Sequence, residues 1–207
     1  MKSHGRIFLP LLSASWLMAA TSGLLLLADY DSKPGHPACP PQQWPDGLRL
    51  ARSSSKPTLM MFLHARCPCS RASLYELARL AHSERDRLDF YVLFAQPPEV
   101  ATDWSHTALW ENAVANGALH VVIDQDGLLA KQFAVKTSGQ VLVYDCEGSL
   151  RFDGGITPGR GRAGDSFGRT IVRAIAAGQS TKAAVNCATF GCSLSASLKS
   201  GLAGRSP

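Results

Sequence analysis

Hydrophobic and polar positions divide the chain into an apolar N-terminal stretch, a region of alternating strand and helix patterns, and a polar tail. Residues 7–28 carry no charged side chain and are about as long as a helix needs to cross a bilayer. This stretch is apolar on every face, which argues against a buried core helix. The pattern predicts a transmembrane or signal-anchor helix in residues 1–28 and a linker rich in Pro, Gly and polar residues in 29–45.

Residues 46–178 have the pattern of one folded domain. Residues 58–64 form a continuous apolar run, which is typical of a strand buried on both faces of a sheet. Apolar side chains then recur at helical spacing in residues 70–88, and a strand pattern returns in residues 88–94. Further helices are predicted at 103–116, 126–133 and 165–177, and further strands at 119–123, 140–145 and 149–152. This order predicts an α/β fold with a central sheet flanked by helices.

The tail, residues 179–207, contains mostly small and polar side chains. Such a composition buries little apolar surface, and we expect much of the tail to be disordered.

Composition and charge fit a single domain with additional ends. The chain has 207 residues, of which 45% are hydrophobic, and a formal net charge of +5. Its basic residues are scattered and form no run interleaved with aromatic residues, so we expect no nucleic-acid partner.

Charges on the two sides of the apolar stretch predict its orientation. Lys2 and Arg6 precede it, whereas Asp29 and Asp31 follow it. By the positive-inside rule, the N-terminus lies in the cytoplasm and the domain on the periplasmic side of a prokaryotic cell membrane, with one crossing. Cleavage of the stretch as a signal peptide remains open at this point.

Cysteines supply the candidate chemistry. Their number is high for a domain of this size, and an oxidising compartment would allow some of them to pair. The six are Cys39, Cys67, Cys69, Cys146, Cys187 and Cys192. Close spacing makes Cys67 with Cys69, and Cys187 with Cys192, the local candidate pairs, while Cys39 and Cys146 are predicted to be lone or stapling cysteines.

The Cys67-Pro68-Cys69 motif directly follows the predicted buried strand. The residue before a proline favours extended backbone, and proline suits the first position of a helix, so Cys69 is expected in the first helical turn. Positive charge from the helix dipole, Arg66 and Arg71 favours a thiolate there. A disulfide across one intervening residue closes a small, strained ring, which makes it easier to reduce.

These residues resemble the thioredoxin superfamily, in particular its membrane-tethered TlpA-type branch with an inserted helix and strand. The resemblance lies in the apolar strand that runs into Cys67-Pro68-Cys69-Ser70 and in residues 120–155. The chain is also similar to the RedB group of thioredoxin-like proteins. This resemblance implies a thiol-disulfide oxidoreductase of the cell envelope that exchanges with protein thiols or disulfides and a redox partner, without a cofactor.

Two departures from the family pattern bear on the predicted site. The family's usual pair has two residues between the cysteines, whereas here there is one, so the register is ambiguous. We assign Cys67 as an exposed nucleophile and Cys69 as the resolving thiol. The family's cis-proline position falls on Gly139, and the Ser138–Gly139 bond is expected to be trans because a cis bond before a non-proline residue is costly. Ser138 and Gly139 are the predicted substrate-binding residues.

Several alternatives stay open. Cys187 and Cys192 would form a tail disulfide that either relays electrons to the central pair or acts as a structural staple. His64 either tunes a thiolate or packs at the strand end. A metal-binding or metallochaperone module, in which Cys187 and Cys192 would join the central pair, and a redox-inactive partner-binding domain are the competing functions.

Overall fold

The computed structural model describes residues 4–98, 100–101, 103–179 and 183–194. The chain divides into two compact units, with the boundary between Lys33 and Pro34. The first unit is the helix α1, His4–Ser32, which contains Pro10 and ends four residues beyond the predicted limit of 28. Its Leu9–Ser32 portion is long and apolar enough, by length and composition, to cross a membrane.

The second unit is a six-stranded mixed sheet flanked by helices. Its elements are β1 Thr58–His64, α2 Ser70–Glu84, β2 Asp89–Gln96, α3 Ala108–Ala115, β3 His120–Gln125, α4 Leu128–Gln132, β4 Gln140–Tyr144, β5 Leu150–Gly155, α5 Phe167–Ala176 and β6 Val185–Asn186. The strand order is β3-β2-β1-β4-β5-β6. Strands β1, β2 and β3 are parallel, whereas β4 is antiparallel to both of its neighbours. The strands and helices follow the predicted order, and α3 with β3 forms the predicted insertion.

Strand β1 is buried on both faces, as its apolar run predicts. Leu59, Met61 and Leu63 belong to one core cluster, which α2 and α5 cover, and Met60 and Phe62 belong to the cluster on the other face of the sheet. Side chains alternate between the two faces of a strand, so a strand between two helical layers needs apolar residues at every position. The central position of β1 fixes its carboxyl end at the middle of one edge of the sheet.

Helix α3 is shorter than predicted because a capping residue sets its start. Thr107 has extended backbone, and its hydroxyl oxygen accepts a hydrogen bond from the Trp110 backbone amide. A threonine in this position satisfies one of the free amides at a helix start. The Thr107 hydroxyl also donates to the Ala65 carbonyl oxygen, which joins the beginning of α3 to the chain that leaves β1.

The predicted linker is largely part of the folded unit. The Trp44 ring makes edge contacts with Phe133 and Tyr144, each at 5.3 Å between centroids. The Tyr144 hydroxyl donates to the Pro41 carbonyl oxygen at 2.8 Å. Residues 34–45 therefore pack on the domain, and the prediction of a linker over 29–45 is corrected. An aromatic side chain that packs against the core, here the partly buried Trp44, outweighs the absence of helix or strand periodicity around it.

The described part of the predicted tail, residues 183–194, is also folded onto the domain. Strand β6 pairs with β5, and the segment passes directly over Gly154 and Gly155. A Cβ at Gly154 would lie 2.4 Å from the Cys187 sulfur, and one at Gly155 would lie 2.9 Å from the Ala188 carbonyl oxygen. The missing side chains of this glycine pair make room for the segment, so the expectation of disorder is wrong there. The rest of the tail lies outside the described residues.

Candidate active site

A tight turn connects the end of β1 to α2 and carries the Cys-Pro-Cys motif. The Cys67 amide donates to the His64 carbonyl oxygen at 3.1 Å, and the Ser70 amide donates to the Cys67 carbonyl oxygen at 3.1 Å. Helix α2 begins at Ser70, which makes Cys69 its N-cap residue. The expectation that Cys69 lies in the first helical turn is therefore off by one position, because the turn at Pro68 precedes the regular helix.

Three cysteine sulfurs meet at this turn. The Sγ atoms of Cys67, Cys69 and Cys192 all lie within 4.8 Å of one another. Cys67 and Cys192 are hydrogen-bonded, with 2.7 Å between their sulfurs. The predicted exposure of Cys67 is wrong, since only 5% of the residue is exposed; its role as the nucleophile stays a prediction. Cys192 lies against the Cys67 sulfur.

Hydrogen bonds favour the thiolate form of Cys67. Burial alone raises the pKa of the Cys67 thiol, because it disfavours the charged form. The Cys192 thiol and the backbone amides of Cys192, Cys69 and Ser70 all act in the opposite direction, and together they hold the pKa of Cys67 below its ordinary value. Cys67 is therefore the thiol of the cluster that loses its proton most easily.

The other two thiols of the cluster hold their protons more firmly than Cys67 does. Burial and then the neighbouring Cys67 raise the pKa of Cys69, and Arg160 opposes them only in part. The pKa of Cys192 is raised to about 12. The causes, in order of size, are burial, the hydrogen bond to Cys67 and the charges of Cys67 and Cys69. In the reduced protein, a negative charge at this site is therefore more favourable on Cys67 than on Cys69 or Cys192.

The predicted substrate-binding residues lie beside the cluster. No cis peptide bond occurs in the described part of the chain, and the Ser138–Gly139 bond is trans, as expected. The Ser138 hydroxyl is buried, accepts a hydrogen bond from the His64 amide at 2.9 Å and lies 2.8 Å from the Ser70 hydroxyl. Gly139 donates its amide to the Phe62 carbonyl oxygen at 2.7 Å, with a φ of +88° that favours glycine. Both residues fix β4 against the end of β1.

The chain before β4 is already paired with another segment. Thr137 forms an antiparallel bridge with Ser193, and the Ser138 amide donates to the Cys192 carbonyl oxygen at 2.8 Å. The backbone edge that the sequence predicts for substrate docking is therefore occupied by the C-terminal segment of the same chain.

His64 has the packing environment of a strand-end residue. Its Nδ1 accepts a hydrogen bond from the Arg66 amide at 3.2 Å, and its ring meets Trp104 edge-on at 5.2 Å. The Arg66 guanidinium stacks over the same Trp104 ring at 4.9 Å. Burial, and then the charge of Arg66, lower the pKa of His64. These contacts favour the packing alternative.

A groove of about 360 Å³ opens next to Cys67, between the Cys-Pro-Cys turn and the start of α3. Its wall contains the polar side chains of Arg66, Arg71 and Asn112 and the apolar side chain of Leu109. Cys67 is one of the lining residues, and the described C-terminal segment contributes none.

The structure does not bring together the predicted tail pair. The Cys187 sulfur donates to the Gly155 carbonyl oxygen at 3.4 Å and lies outside the three-cysteine cluster, whereas Cys192 contacts Cys67. All six cysteines are free thiols. Arg160 is a further residue that the sequence did not indicate: its guanidinium donates to the Gly191 carbonyl oxygen at 2.6 Å, next to Cys192.

No family model matches the chain, and no curated protein matches its sequence. Solved structures do match. An uncharacterised conserved protein from Geobacillus kaustophilus has a TM-score of 0.56 and 19% identity, covering 78% of this chain and 91% of that one. A hypothetical protein from Sinorhizobium meliloti has a TM-score of 0.55 and 19% identity, covering 68% and 80%. A secreted disulfide oxidoreductase from Mycobacterium tuberculosis is more distant, with a TM-score of 0.41 and 14% identity over 60% and 82%.

The chain has a thioredoxin-like fold, which confirms the predicted fold class. Its mixed sheet, the α3–β3 insertion and the cysteine turn between β1 and α2 follow the predicted arrangement. At these levels of identity the likeness concerns the fold alone.

Proposed function

We propose that the chain is a thiol-disulfide oxidoreductase of the cell envelope in which Cys67 is the attacking thiol and Cys69 a resolving thiol. The environment of the Cys67 sulfur carries this proposal. Hydrogen bonds to the Cys67 sulfur lower the pKa of this thiol. The sulfurs of Cys69 and Cys192 both lie within 4.8 Å of it. A thiolate with a second thiol in reach is what disulfide exchange requires.

The reaction follows from the positions of the two thiols. The Cys67 thiolate attacks one sulfur of a substrate disulfide, and the substrate S–S bond breaks as a Cys67–substrate bond forms. The other substrate sulfur leaves as a thiolate and takes up a proton. Cys69 then loses its proton and attacks the Cys67 sulfur, so the second substrate thiol is released and a Cys67–Cys69 disulfide remains. The protein gives up two electrons to the substrate disulfide. In the reverse direction, the Cys67–Cys69 disulfide oxidises a substrate dithiol.

Turnover of a disulfide probe tests this proposal. The full chain in detergent micelles is mixed with a fluorescently labelled glutathione disulfide, with dithiothreitol as the electron source. We expect Cys67→Ser to reduce the rate to that without protein, because no other thiol of the cluster has a lowered pKa. Cys146→Ser, in the distant β4–β5 turn, should keep the full rate. A Cys67→Ser protein as fast as the unmodified chain would exclude the proposal.

The N-terminal helix supports a location at the membrane. Helix α1 has the length and composition of a membrane span. Lys2 and Arg6 precede its apolar stretch, residues 7–28, while Asp29 and Asp31 follow that stretch. We therefore propose one crossing with the domain on the periplasmic side, where protein thiols and disulfides are the substrates. Extraction of bacterial membranes at alkaline pH checks the anchor, since a cleaved or peripheral chain would appear in the supernatant.

The three-cysteine cluster also favours a second candidate, a site for a soft metal ion. Thiolates select Cu(I) or zinc, and three sulfurs within 4.8 Å are compatible with three-coordinate Cu(I). A closed zinc site needs four ligands, and within the described residues the cluster has no fourth His, Cys, Asp or Glu ligand. Cys187, which was expected to join such a site, lies outside the cluster.

Metal analysis separates the two candidates. The reduced full chain is purified without chelator, offered Cu(I) or zinc, and assayed for bound metal. One equivalent of copper that is lost in Cys192→Ser would support the metal site. Absence of stoichiometric metal would remove this candidate and leave the oxidoreductase proposal untouched.

A further inference from the structure

We propose that residues 191–194 act as an intramolecular substrate of the Cys67 site, with Cys192 as a third redox-active thiol. This inference rests on the proposed disulfide chemistry and gives it a second resolving partner within the chain. The sulfurs of Cys67 and Cys192 lie 2.7 Å apart. A disulfide bond is about 2.05 Å long, so a displacement of well under 1 Å would bring the two sulfurs to bonding distance.

Backbone pairing gives the segment the arrangement of a bound peptide. It runs antiparallel to the chain before β4, through the Thr137–Ser193 bridge and the hydrogen bond from the Ser138 amide to the Cys192 carbonyl oxygen. An extended peptide that adds to a free backbone edge is a common mode of peptide recognition. Here the pairing sets the register in which the Cys192 side chain meets Cys67.

Contacts at both ends hold the segment in this register. Leu194 is 4% exposed and belongs to the core cluster beside β4, and its amide donates to the Lys136 carbonyl oxygen at 2.8 Å. Arg160 donates to the Gly191 carbonyl oxygen at 2.6 Å. A Cβ at Gly191 would lie 1.9 Å from a backbone oxygen of the β4 edge, so only glycine permits this approach. The segment is therefore a docked element rather than a loose end.

The proposed step is an exchange within the oxidised protein. Cys192 loses its proton and attacks the Cys67 sulfur of a Cys67–Cys69 disulfide. The Cys67–Cys192 bond forms, the Cys67–Cys69 bond breaks, and Cys69 leaves as a thiolate that takes up the proton. No electrons enter or leave the protein in this step, so it needs no further oxidant. The same attack on a Cys67–substrate disulfide releases the substrate thiol and oxidises Cys67 and Cys192 together.

Docking of the segment also restricts access to Cys67. The Cys67 side chain is 5% exposed while Cys192 lies against it, and the predicted docking edge is already paired. A protein client has to displace the segment to use that edge, whereas a small disulfide can reach Cys67 from the side of the groove lined by Arg66 and Asn112.

Resolution of a defined adduct tests the role of Cys192. The reduced full chain in detergent micelles, with chelator present, is mixed with glutathione disulfide, quenched with acid, alkylated and analysed by mass spectrometry. In Cys69→Ser, we expect the Cys67–glutathione adduct to convert to a Cys67–Cys192 disulfide. In Cys69→Ser/Cys192→Ser, the adduct should persist, with its loss slower by about tenfold or more because no positioned thiol remains.

A matched variant identifies the linked cysteine. Trypsin leaves Cys67 in the peptide 67–71, but Cys187 and Cys192 together in the peptide 183–199. Cys69→Ser/Cys187→Ser removes this ambiguity and should behave like Cys69→Ser, because the Cys187 sulfur contacts Gly155 and not the cluster.

The possible outcomes are distinct. An adduct on Cys67 that is equally stable with and without Cys192, or a link to Cys187, overturns the inference while the proposed function stands. Failure of every variant to form an adduct on Cys67 contradicts the proposed function, and the inference falls with it. Conversion of the Cys67–glutathione adduct that requires Cys192 and not Cys187 supports both the inference and the proposed function.

Discussion

At the scale of single residues, the site is defined by three neighbouring thiols with different pKa values, of which only that of Cys67 is lowered. Burial, and then the negative charge on the neighbouring Cys67, raise the pKa of Cys69 and of Cys192. Once the Cys67 sulfur is part of a disulfide, that charge is gone, and both remaining thiols lose their proton more easily. Attack by Cys67 therefore prepares the thiols that resolve its adduct.

The pH dependence of Cys67 alkylation tests whether Cys192 lowers the pKa of Cys67. The rate of reaction with iodoacetamide rises as the thiolate forms, so in the reduced, metal-free chain its midpoint should lie below that of an ordinary cysteine. Cys192→Ala removes the side-chain hydrogen bond that stabilises the Cys67 thiolate, and the profile should shift to higher pH. Cys187→Ala serves as the control and should leave the profile in place. A shift to lower pH in Cys192→Ala would contradict the proposed stabilisation.

At the scale of elements, the turn after β1, the start of α2 and the edge before β4 build the site, and the segment 191–194 completes it. The first three are local consequences of sequence. The last depends on glycines that let two backbones approach closely. Gly154 and Gly155 lie under residues 187–190, which lead into the segment, and Gly191 lies within it.

Displacement of the segment gives a prediction at this scale. Gly191→Ala introduces a Cβ against the β4 edge, and overpacking of this kind costs about 1–3 kcal/mol. We expect Cys192 to react faster with a maleimide and the yield of the Cys67–Cys192 disulfide to fall. Gly117→Ala is the matched control, since a Cβ there meets nothing within 4 Å. Equal effects of the two substitutions would show that the close approach at Gly191 does not hold the segment.

Sequence patterns predicted the elements better than their long-range contacts. The apolar run of β1 and the position of Cys67 after it follow from local periodicity and from the proline, and both are as expected. Spacing along the chain makes Cys187 the local candidate partner of Cys192, because it reports only sequence neighbours, whereas Cys67, which Cys192 contacts, is 125 residues away. Trp44 was a usable signal against a free linker, since an aromatic residue in a polar stretch often anchors it to a core.

At the scale of the whole molecule, an apolar helix precedes a thioredoxin-like domain in which residues 191–194 of the same chain cover Cys67. In the proposed location, the domain meets partly oxidised proteins while α1 keeps it at the membrane. Cys67 has a lowered pKa but is covered, so it would react with protein clients only after residues 191–194 have moved. This requirement limits exchange with unsuitable thiols.

Capture of clients in cells tests the central claim that Cys67 attacks protein disulfides. The full chain with Cys69→Ser and Cys192→Ser lacks both proposed resolving thiols, so mixed disulfides through Cys67 should accumulate in the bacterial envelope. We expect reductant-sensitive, higher-mass species in the membrane fraction that disappear when Cys67→Ser is added. The same species in the presence of Cys67→Ser, or none in either protein, would contradict the account.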